Sequence, residues 1–168
     1  MIDARRGVVV VQRLRGVGVQ RPLVDVGAVG QFGGVGGAIY IDGGDELTSL
    51  CGVTIADSTA GAIAGGVFRV SNSDDGTFTM EKSTVTGNRV TPADDGNAGG
   101  MYLQGLALTI TNSTISQNEG FYNGGIWINE CDANLTNVTI AENTAFGSNG
   151  GGVWLGNDPT RSILICTI

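Results

Sequence analysis

Two stretches of the sequence nearly repeat each other: NSTISQNEGFYNGGIWIN at 112–129 and NVTIAENTAFGSNGGGVWL at 137–155. Each begins with small polar residues around an isoleucine, continues through a turn, and ends in a double glycine followed by an aliphatic–aromatic–aliphatic triplet. A period of about 20–50 residues is the mark of repeat architectures, in which each unit buries its apolar face against its neighbours. The repeat therefore decides the fold class.

The double glycine precedes a short apolar segment five times, and the second glycines are 29, 34, 25 and 27 residues apart. The five instances are GGAIYI (36–41), GGVFRV (65–70), GGMYLQ (99–104), GGIWIN (124–129) and GGVWLG (151–156). A second motif interleaves with the first, as VTIADS (53–58), STVTGN (83–88), STISQN (113–118) and VTIAEN (138–143), each after a short alternating stretch. Every period thus carries three strand-like pieces, and none has the spacing of a helix.

Three short strands per period predict an all-β parallel β-helix, a three-sided solenoid of about five rungs. The register aligns side chains in columns. Ile55, Val85, Ile115 and Ile140 form an inward aliphatic column, and Thr54, Thr84, Thr114 and Thr139 an outward threonine column. Ser58, Asn88, Asn118 and Asn143 stand at a turn, where stacked amides bond to one another and tolerate the left-handed conformation. The double glycines at the next corner permit positive φ.

GGAIYI, STISQN and GGIWIN resemble the repeats of right-handed parallel β-helix proteins, in particular those of polymorphic outer-membrane proteins and related bacterial surface or secreted proteins. The resemblance covers roughly residues 33–168. It implies a right-handed coil and an extracellular or bacterial cell-surface location, but it brings no catalytic motif, because pectate-lyase-like enzymes, adhesins and ice-binding proteins share this architecture.

Two parts are predicted: an irregular N-terminal cap or non-repeat segment at 1–32 and a parallel β-helix domain at 33–168. The last residues, SILICTI (162–168), match the middle of a rung. The open end of such a coil exposes unpaired backbone N–H and C=O groups, which can pair with another chain. We therefore expect a fragment truncated at the C-terminus, or a protomer whose end another protein covers.

Composition excludes several classes of function. Residues 1–21 hold five Arg and one Asp, whereas the remaining residues hold four basic and 15 acidic side chains. This acidic body disfavours nucleic acid as a partner and is compatible with cations or glycans. The chain has no His and three unpatterned Cys, which excludes Ser–His or Cys–His catalysis and disfavours a zinc site. No apolar run is long enough for a transmembrane helix.

An aromatic column is the first candidate site. The residue in second place after the double glycine is Ile39, Phe68, Tyr102, Trp127 or Trp154. Strand alternation points this column outward, where sugar rings stack on aromatic faces, so the four aromatics are predicted to bind a ligand together with Arg69. The opposite alternation, with the aromatic side chains in the core and the aliphatic ones outside, remains an alternative. The position of Arg69 favours it, because the first alternation would place this charged side chain in the core.

The turn after this strand is acidic in four of five rungs. Its residues are Asp42, Asp45, Glu46, Asp74, Asp75, Glu130, Asp132 and Asp158. Paired carboxylates are what a glycosidase needs, and Glu130, Asp132 and Asp158 are the candidate catalytic residues because they flank Trp127 and Trp154. Arg69 is the basic residue to test in a lyase mechanism. We expect no cofactor and no specific metal site. Ca²⁺ is the one ion that remains an alternative, because converging carboxylates can bind it. The same residues also have a purely structural explanation, because Asp is a favoured residue in turns.

Three functions follow. The first is a non-catalytic, adhesin-like secreted or cell-surface module that presents its aromatic and acidic sidewall to a polysaccharide, a surface glycan or a partner protein. The second is a carbohydrate-active enzyme, a polysaccharide hydrolase or lyase. The third is ice binding through the threonine column, although Ala56, Thr86, Ser116 and Ala141 break the two-wide pattern that an ice-binding surface needs.

Overall fold

The computed structural model describes residues 35–43, 47–91, 96–147, 150–156 and 163–166. Within these ranges the chain forms sixteen β-strands and no helix, arranged in three sheets. Sheet 1 holds β1 (Ile39–Asp42), β5 (Val67–Val70), β9 (Met101–Gln104), β12 (Ile126–Asn129) and β15 (Val153–Leu155). Sheet 2 holds β2 (Leu47–Cys51), β3 (Thr54–Ala56), β6 (Gly76–Glu81), β7 (Thr84–Thr86), β10 (Leu106–Ser116), β13 (Asp132–Ala141) and β16 (Ile163–Cys166). Sheet 3 holds β4 (Thr59–Ala60), β8 (Arg89–Val90), β11 (Glu119–Gly120) and β14 (Thr144–Ala145).

The chain visits the three sheets in a fixed order, from sheet 1 to sheet 2 to sheet 3 and back. Each strand pairs in parallel with its equivalent one period earlier or later, as in the series Thr54, Thr84, Thr114 and Thr139. The prediction of an all-β fold is confirmed, and parallel strands that recur with the sequence repeat are consistent with a β-solenoid. The predicted segment 1–32 lies outside the described residues.

The core runs between the sheets as columns of aliphatic side chains. Ile55, Val85 and Ile115 are buried, and Ile140 packs against them half-buried. These four residues occupy equivalent register positions, which confirms the predicted inward column. Because one strand buries only a few side chains, each period depends on its neighbours for most of its apolar contacts.

The predicted asparagine column forms a buried hydrogen-bonded ladder. The side-chain amide of Asn88 donates to Asn118 Oδ1 at 3.0 Å, and that of Asn118 donates to Asn143 Oδ1 at 2.9 Å. The same amides also donate to the backbone carbonyls of Ile55 and Val85. Although Asn tolerates left-handed φ, these Asn residues do not adopt it.

Left-handed φ occurs one position earlier in each turn. The residues are Asp57, Gly87, Gln117 and Glu142, with φ between 53° and 64°. The asparagine is thereby free to keep its amide inside the ladder, since the preceding residue turns the backbone. A second ladder, which the sequence analysis did not anticipate, uses hydroxyls: Val53 N donates to Ser83 Oγ, and Ser83 N donates to Ser113 Oγ.

Of the ten residues in the double glycines, only Gly36 uses the positive φ that glycine permits. All of them except Gly152 lie where an added Cβ would come within 2.7 Å of a backbone atom, in most cases one of a neighbouring period. A Cβ on Gly100 would lie 2.5 Å from the carbonyl oxygen of Gly125, and a Cβ on Gly125 would lie 2.3 Å from that of Gly152. No Cβ fits at such distances, so glycine is required there by packing rather than by φ.

Candidate functional site

The aromatic side chains of sheet 1 lie in one column across five strands. Tyr40 pairs with Phe68, Phe68 with Tyr102, Tyr102 with Trp127, and Trp127 with Trp154. The alignment of the last four was predicted, but the residue predicted for the first strand was wrong. Ile39 pairs with Val67 and is buried, so Tyr40 takes the outward position. We call Tyr40, Phe68, Tyr102, Trp127 and Trp154 the aromatic column.

The column has two halves with different ring packing. Tyr40, Phe68 and Tyr102 are stacked, with centroids 5.1 and 5.4 Å apart and interplanar angles of 9° and 11°. Rings stacked in this way cover each other's faces and offer mainly their edges to solvent. Tyr102, Trp127 and Trp154 are splayed, with centroids 5.5 and 5.8 Å apart and angles of 51° and 61°. Splayed rings leave part of their faces uncovered.

Exposure follows the same division. Phe68 points to the outer side of sheet 1 but is only 8% exposed, because Ala64, Ile63 and Val35 pack around it with its stacked neighbours. Phe68 therefore supports the column without presenting a ring face. Tyr102, Trp127 and Trp154 are half-buried, and Tyr40 at the edge is 45% exposed. A ligand can therefore reach part of Tyr40, Tyr102, Trp127 and Trp154, but almost none of Phe68.

A chain of polar contacts runs beside the splayed half. Tyr102 Oη donates to Gln104 Oε1 at 2.8 Å, and Gln104 Nε2 donates to Glu130 Oε2 at 2.9 Å. Tyr40 Oη likewise donates to Asp42 Oδ2 at 3.0 Å. Burial raises the pKa of the Tyr102 phenol, and the charges of Glu130 and Cys131 raise this pKa further. The Glu130 carboxylate thus lies close enough to Tyr102, a member of the aromatic column, to raise its pKa.

Trp127 carries a buried polar atom for which the described residues supply no hydrogen-bond partner. Its Nε1 is buried and has no hydrogen-bond acceptor among the described residues. A buried indole N–H ordinarily finds a partner. This indole N–H of Trp127 lies on the middle strand of the splayed half of the aromatic column.

Arg69 does not lie on the aromatic face. It pairs with Ile41 and Leu103 on the inward side of sheet 1 and is only 1% exposed. Its Nε donates to Thr48 Oγ1 at 3.0 Å, and its Nη1 donates to the carbonyl oxygens of Gly43 and Val70. The predicted ligand contact does not fit this position, because the guanidinium is enclosed and engaged in internal hydrogen bonds.

The carboxylates predicted for catalysis are distributed over two sheets. Glu130 follows β12 with φ of 52° and holds the Gln104 contact, whereas Asp132 begins β13 of sheet 2 and is exposed. Buried Cys131 lies between them. Asp158 lies outside the described residues, as do Asp45 and Glu46. Glu130 is therefore linked to the aromatic column by its hydrogen bond with Gln104, whereas Asp132 belongs to a strand of sheet 2.

A metal site in the same turns would need several ligating side chains in one place. In the described ranges, no three side chains of His, Cys, Asp or Glu come together as a metal site would require. The turns that follow sheet 1 hold their carboxylates singly or in exposed sequence neighbours, as at Asp74 and Asp75.

The predicted threonine column lies on the outer face of sheet 2. Thr54, Thr84, Thr114 and Thr139 are in register and at least partly exposed. On the same sheet, Glu81 and Lys82 form an exposed ion pair at 3.0 Å. This pair places two long charged side chains beside the hydroxyl column.

Two residues of the site escaped sequence analysis. Tyr40 was left out of the predicted column because GGAIYI has one residue more between its glycines and its aromatic residue than the other repeats. Gln104 carries no charge or aromatic ring, and its role depends on a contact with Glu130, 26 residues away. The repeat register could have revealed Tyr40 if the strands had been aligned on their aromatic residues.

Comparison with known proteins adds no relative: no protein-family model, no curated protein and no solved structure matches the chain. Across its described residues, the chain has no helix with the length and apolar character needed to cross a bilayer.

Proposed function

We propose that the chain is a right-handed, three-sided parallel β-helix module of a secreted or cell-surface protein, and that it binds an extended polysaccharide without cleaving it. The fixed visiting order of the three sheets and the parallel in-register pairing support the coil. The observation that carries the function is the splayed end of the aromatic column, where the half-buried Trp127 and Trp154 lie on neighbouring strands with their rings tilted by 61° to each other.

The physical basis is the match between these rings and a sugar chain. The apolar face of a pyranose ring packs on an aromatic face, and flanking amide and carboxylate groups accept or donate hydrogen bonds to its hydroxyls. Gln104, Asn129 and Glu130 supply such groups beside the tryptophans. Adjacent strands are about 4.8 Å apart, a spacing comparable to the advance per sugar along an extended β-linked chain.

Affinity electrophoresis against a panel of polysaccharides tests this proposal, with Trp127→Ala, Trp154→Ala and the double variant. We expect each single change to weaken binding roughly 5- to 10-fold, because an aromatic contact is worth about 1 kcal/mol. Phe146→Ala is the control, since Phe146 is an exposed aromatic residue that follows sheet 3 instead of lying on sheet 1. If the folded double variant binds as tightly as the wild type, the aromatic column is not the binding site.

The enzyme alternative has its own readout. Glu130 and Asp132 are the described carboxylates of that hypothesis, so release of reducing ends or of unsaturated products would have to disappear in Glu130→Gln or Asp132→Asn. Product release that depends on these residues would replace the binding proposal by a carbohydrate-active enzyme. Binding without release supports the non-catalytic module.

A further inference from the structure

Among the described residues, the charged side chains around the aromatic column are all acidic. Asp42 and Glu130 flank it, and its outward neighbours Gln104 and Asn129 are neutral. The three basic residues in the described part of the chain lie elsewhere: Arg69 is buried on the inward side, Lys82 is paired with Glu81 on sheet 2, and Arg89 is in sheet 3. Within the described residues, the binding face thus combines aromatic rings and carboxylates without a cation.

Glu130 is held in place by the aromatic column itself. The hydrogen-bond chain from Tyr102 Oη through Gln104 to Glu130 Oε2 fixes the carboxylate beside the splayed rings. An ionised carboxylate has about four acceptor sites on its two oxygens, and Gln104 occupies one of them. The carboxylate is therefore positioned and has capacity to accept hydrogen bonds from a ligand.

From these observations we propose that the ligand is polycationic: an extended β-linked polysaccharide whose sugars carry protonated amino groups, with Glu130 as the residue that selects it. This inference rests on the proposed polysaccharide-binding function and specifies its ligand. A protonated amine gains from the carboxylate of Glu130 and from the negative faces of the tilted tryptophans, since cations are attracted to aromatic faces. A polyuronate is repelled by the same carboxylates and by the net charge of −7.

Calorimetric titration of the full chain with hexamers of matched length tests the ligand class. The probes are a glucosamine hexamer, its N-acetylated counterpart, a galacturonate hexamer and a lysine hexamer, at a mildly acidic pH where the sugar amines are protonated. We expect the glucosamine hexamer to bind at least 5-fold more tightly than the N-acetylated one, and the galacturonate hexamer to bind least. Added salt should reduce the advantage of the glucosamine hexamer, because screening acts on its charge.

Glu130→Gln should bring the ratio between the two glucosamine hexamers close to one, because it removes the charge that only the protonated hexamer exploits and therefore weakens that hexamer more than the N-acetylated one. The matched control is Glu142→Gln. Glu142 has nearly the same φ (55°), accepts an equivalent hydrogen bond from Gln117 at 3.0 Å, and follows sheet 2 instead of sheet 1. This control should leave the ratio unchanged.

Three results would overturn the inference: equal binding of the two glucosamine hexamers by the wild type, a ratio that Glu130→Gln does not change, or lysine hexamer binding as tight as that of the glucosamine hexamer. The polysaccharide-binding function would still stand in the first two cases if Trp127→Ala weakened sugar binding. If no sugar hexamer bound, or if the tryptophan variants bound them normally, the proposed function itself would fail.

Discussion

Asn88 and Asn118 are 30 residues apart in sequence, yet the side-chain amide of Asn88 donates to Asn118 Oδ1 at 3.0 Å, and the backbone N–H of Asn88 donates to the same oxygen at 3.0 Å. Asn118 is completely buried, so every one of these groups would be costly to leave unpaired. The pair joins two successive turns between sheets 2 and 3. It gives the first prediction on stability.

Asn118→Ala should destabilise the protein by at least about 2 kcal/mol, because several buried groups lose their partners together. These groups include the Val85 carbonyl and the amide of Asn88. Chemical denaturation monitored by circular dichroism measures the change. Asn134→Ala is the control at an exposed position on β13, where we expect a change within about 0.5 kcal/mol. Similar losses for both variants would contradict a structural role for the ladder.

Gly125→Ala should destabilise the protein by more than about 3 kcal/mol, because its Cβ would meet backbone atoms that cannot move aside. The nearest is the carbonyl oxygen of Gly152, at 2.3 Å. Gly152→Ala is the matched control one strand further along, since its Cβ would meet Ile140 at 3.6 Å, an ordinary contact. Thermal unfolding compares the two. If both variants unfold at the same temperature, close approach between neighbouring strands does not explain the double glycine.

Tyr102 should ionise above the usual phenol pKa of about 10, since burial chiefly, and then the charge of Glu130, raise its pKa. A folded-state pKa above the unfolded value stabilises the fold below pH 10, and this contribution is lost as pH rises through the folded-state pKa. Absorbance at 295 nm measures phenolate formation, and the difference between wild type and Tyr102→Phe isolates Tyr102.

In Glu130→Gln the midpoint of Tyr102 should fall but stay above the usual value, because burial remains. A Tyr102 midpoint at the ordinary value in the wild type would contradict both the burial of the ring and its proximity to Glu130.

Arg69→Met should cost roughly 1–3 kcal/mol, because the carbonyls of Gly43 and Val70 lose a charged donor. Arg69→Lys should recover only part of this loss, since an ammonium group cannot reproduce the guanidinium geometry. Denaturation gives the stability, and polysaccharide binding by the folded variants gives the functional comparison. We expect unchanged binding. If the Arg69 variants lost polysaccharide binding while their stability was unchanged, Arg69 would have to contact the ligand directly.

The sequence predicted what depends on period and alternation. The inward column at Ile55 and Val85 and the amide ladder at Asn88 and Asn118 follow from repeat spacing, because residues at equivalent positions of parallel strands must lie side by side. Tyr40 was missed because Ala38 lengthens its repeat by one residue, and one residue reverses the face of a strand.

Ring orientation in the aromatic column could not be predicted from the sequence. Alternation determines the side of the sheet on which Phe68 and Trp127 lie, whereas the plane of each ring depends on its neighbours. Flat stacking at Phe68 and splaying at Trp127 are tertiary effects. For the same reason the contact of Gln104 with Glu130 could not be derived from either residue alone.

The pairing of every strand with its equivalents one period away has a mechanical consequence. Hydrogen bonds between strands run from layer to layer, so force applied to the two ends of the chain loads the outermost layer first. That layer can detach while the next remains intact, because its contacts are confined to its immediate neighbour. Pulling on a single molecule should therefore give a staircase of small extensions of about 25–34 residues each, matching the spacing of the double glycines, instead of one abrupt rupture.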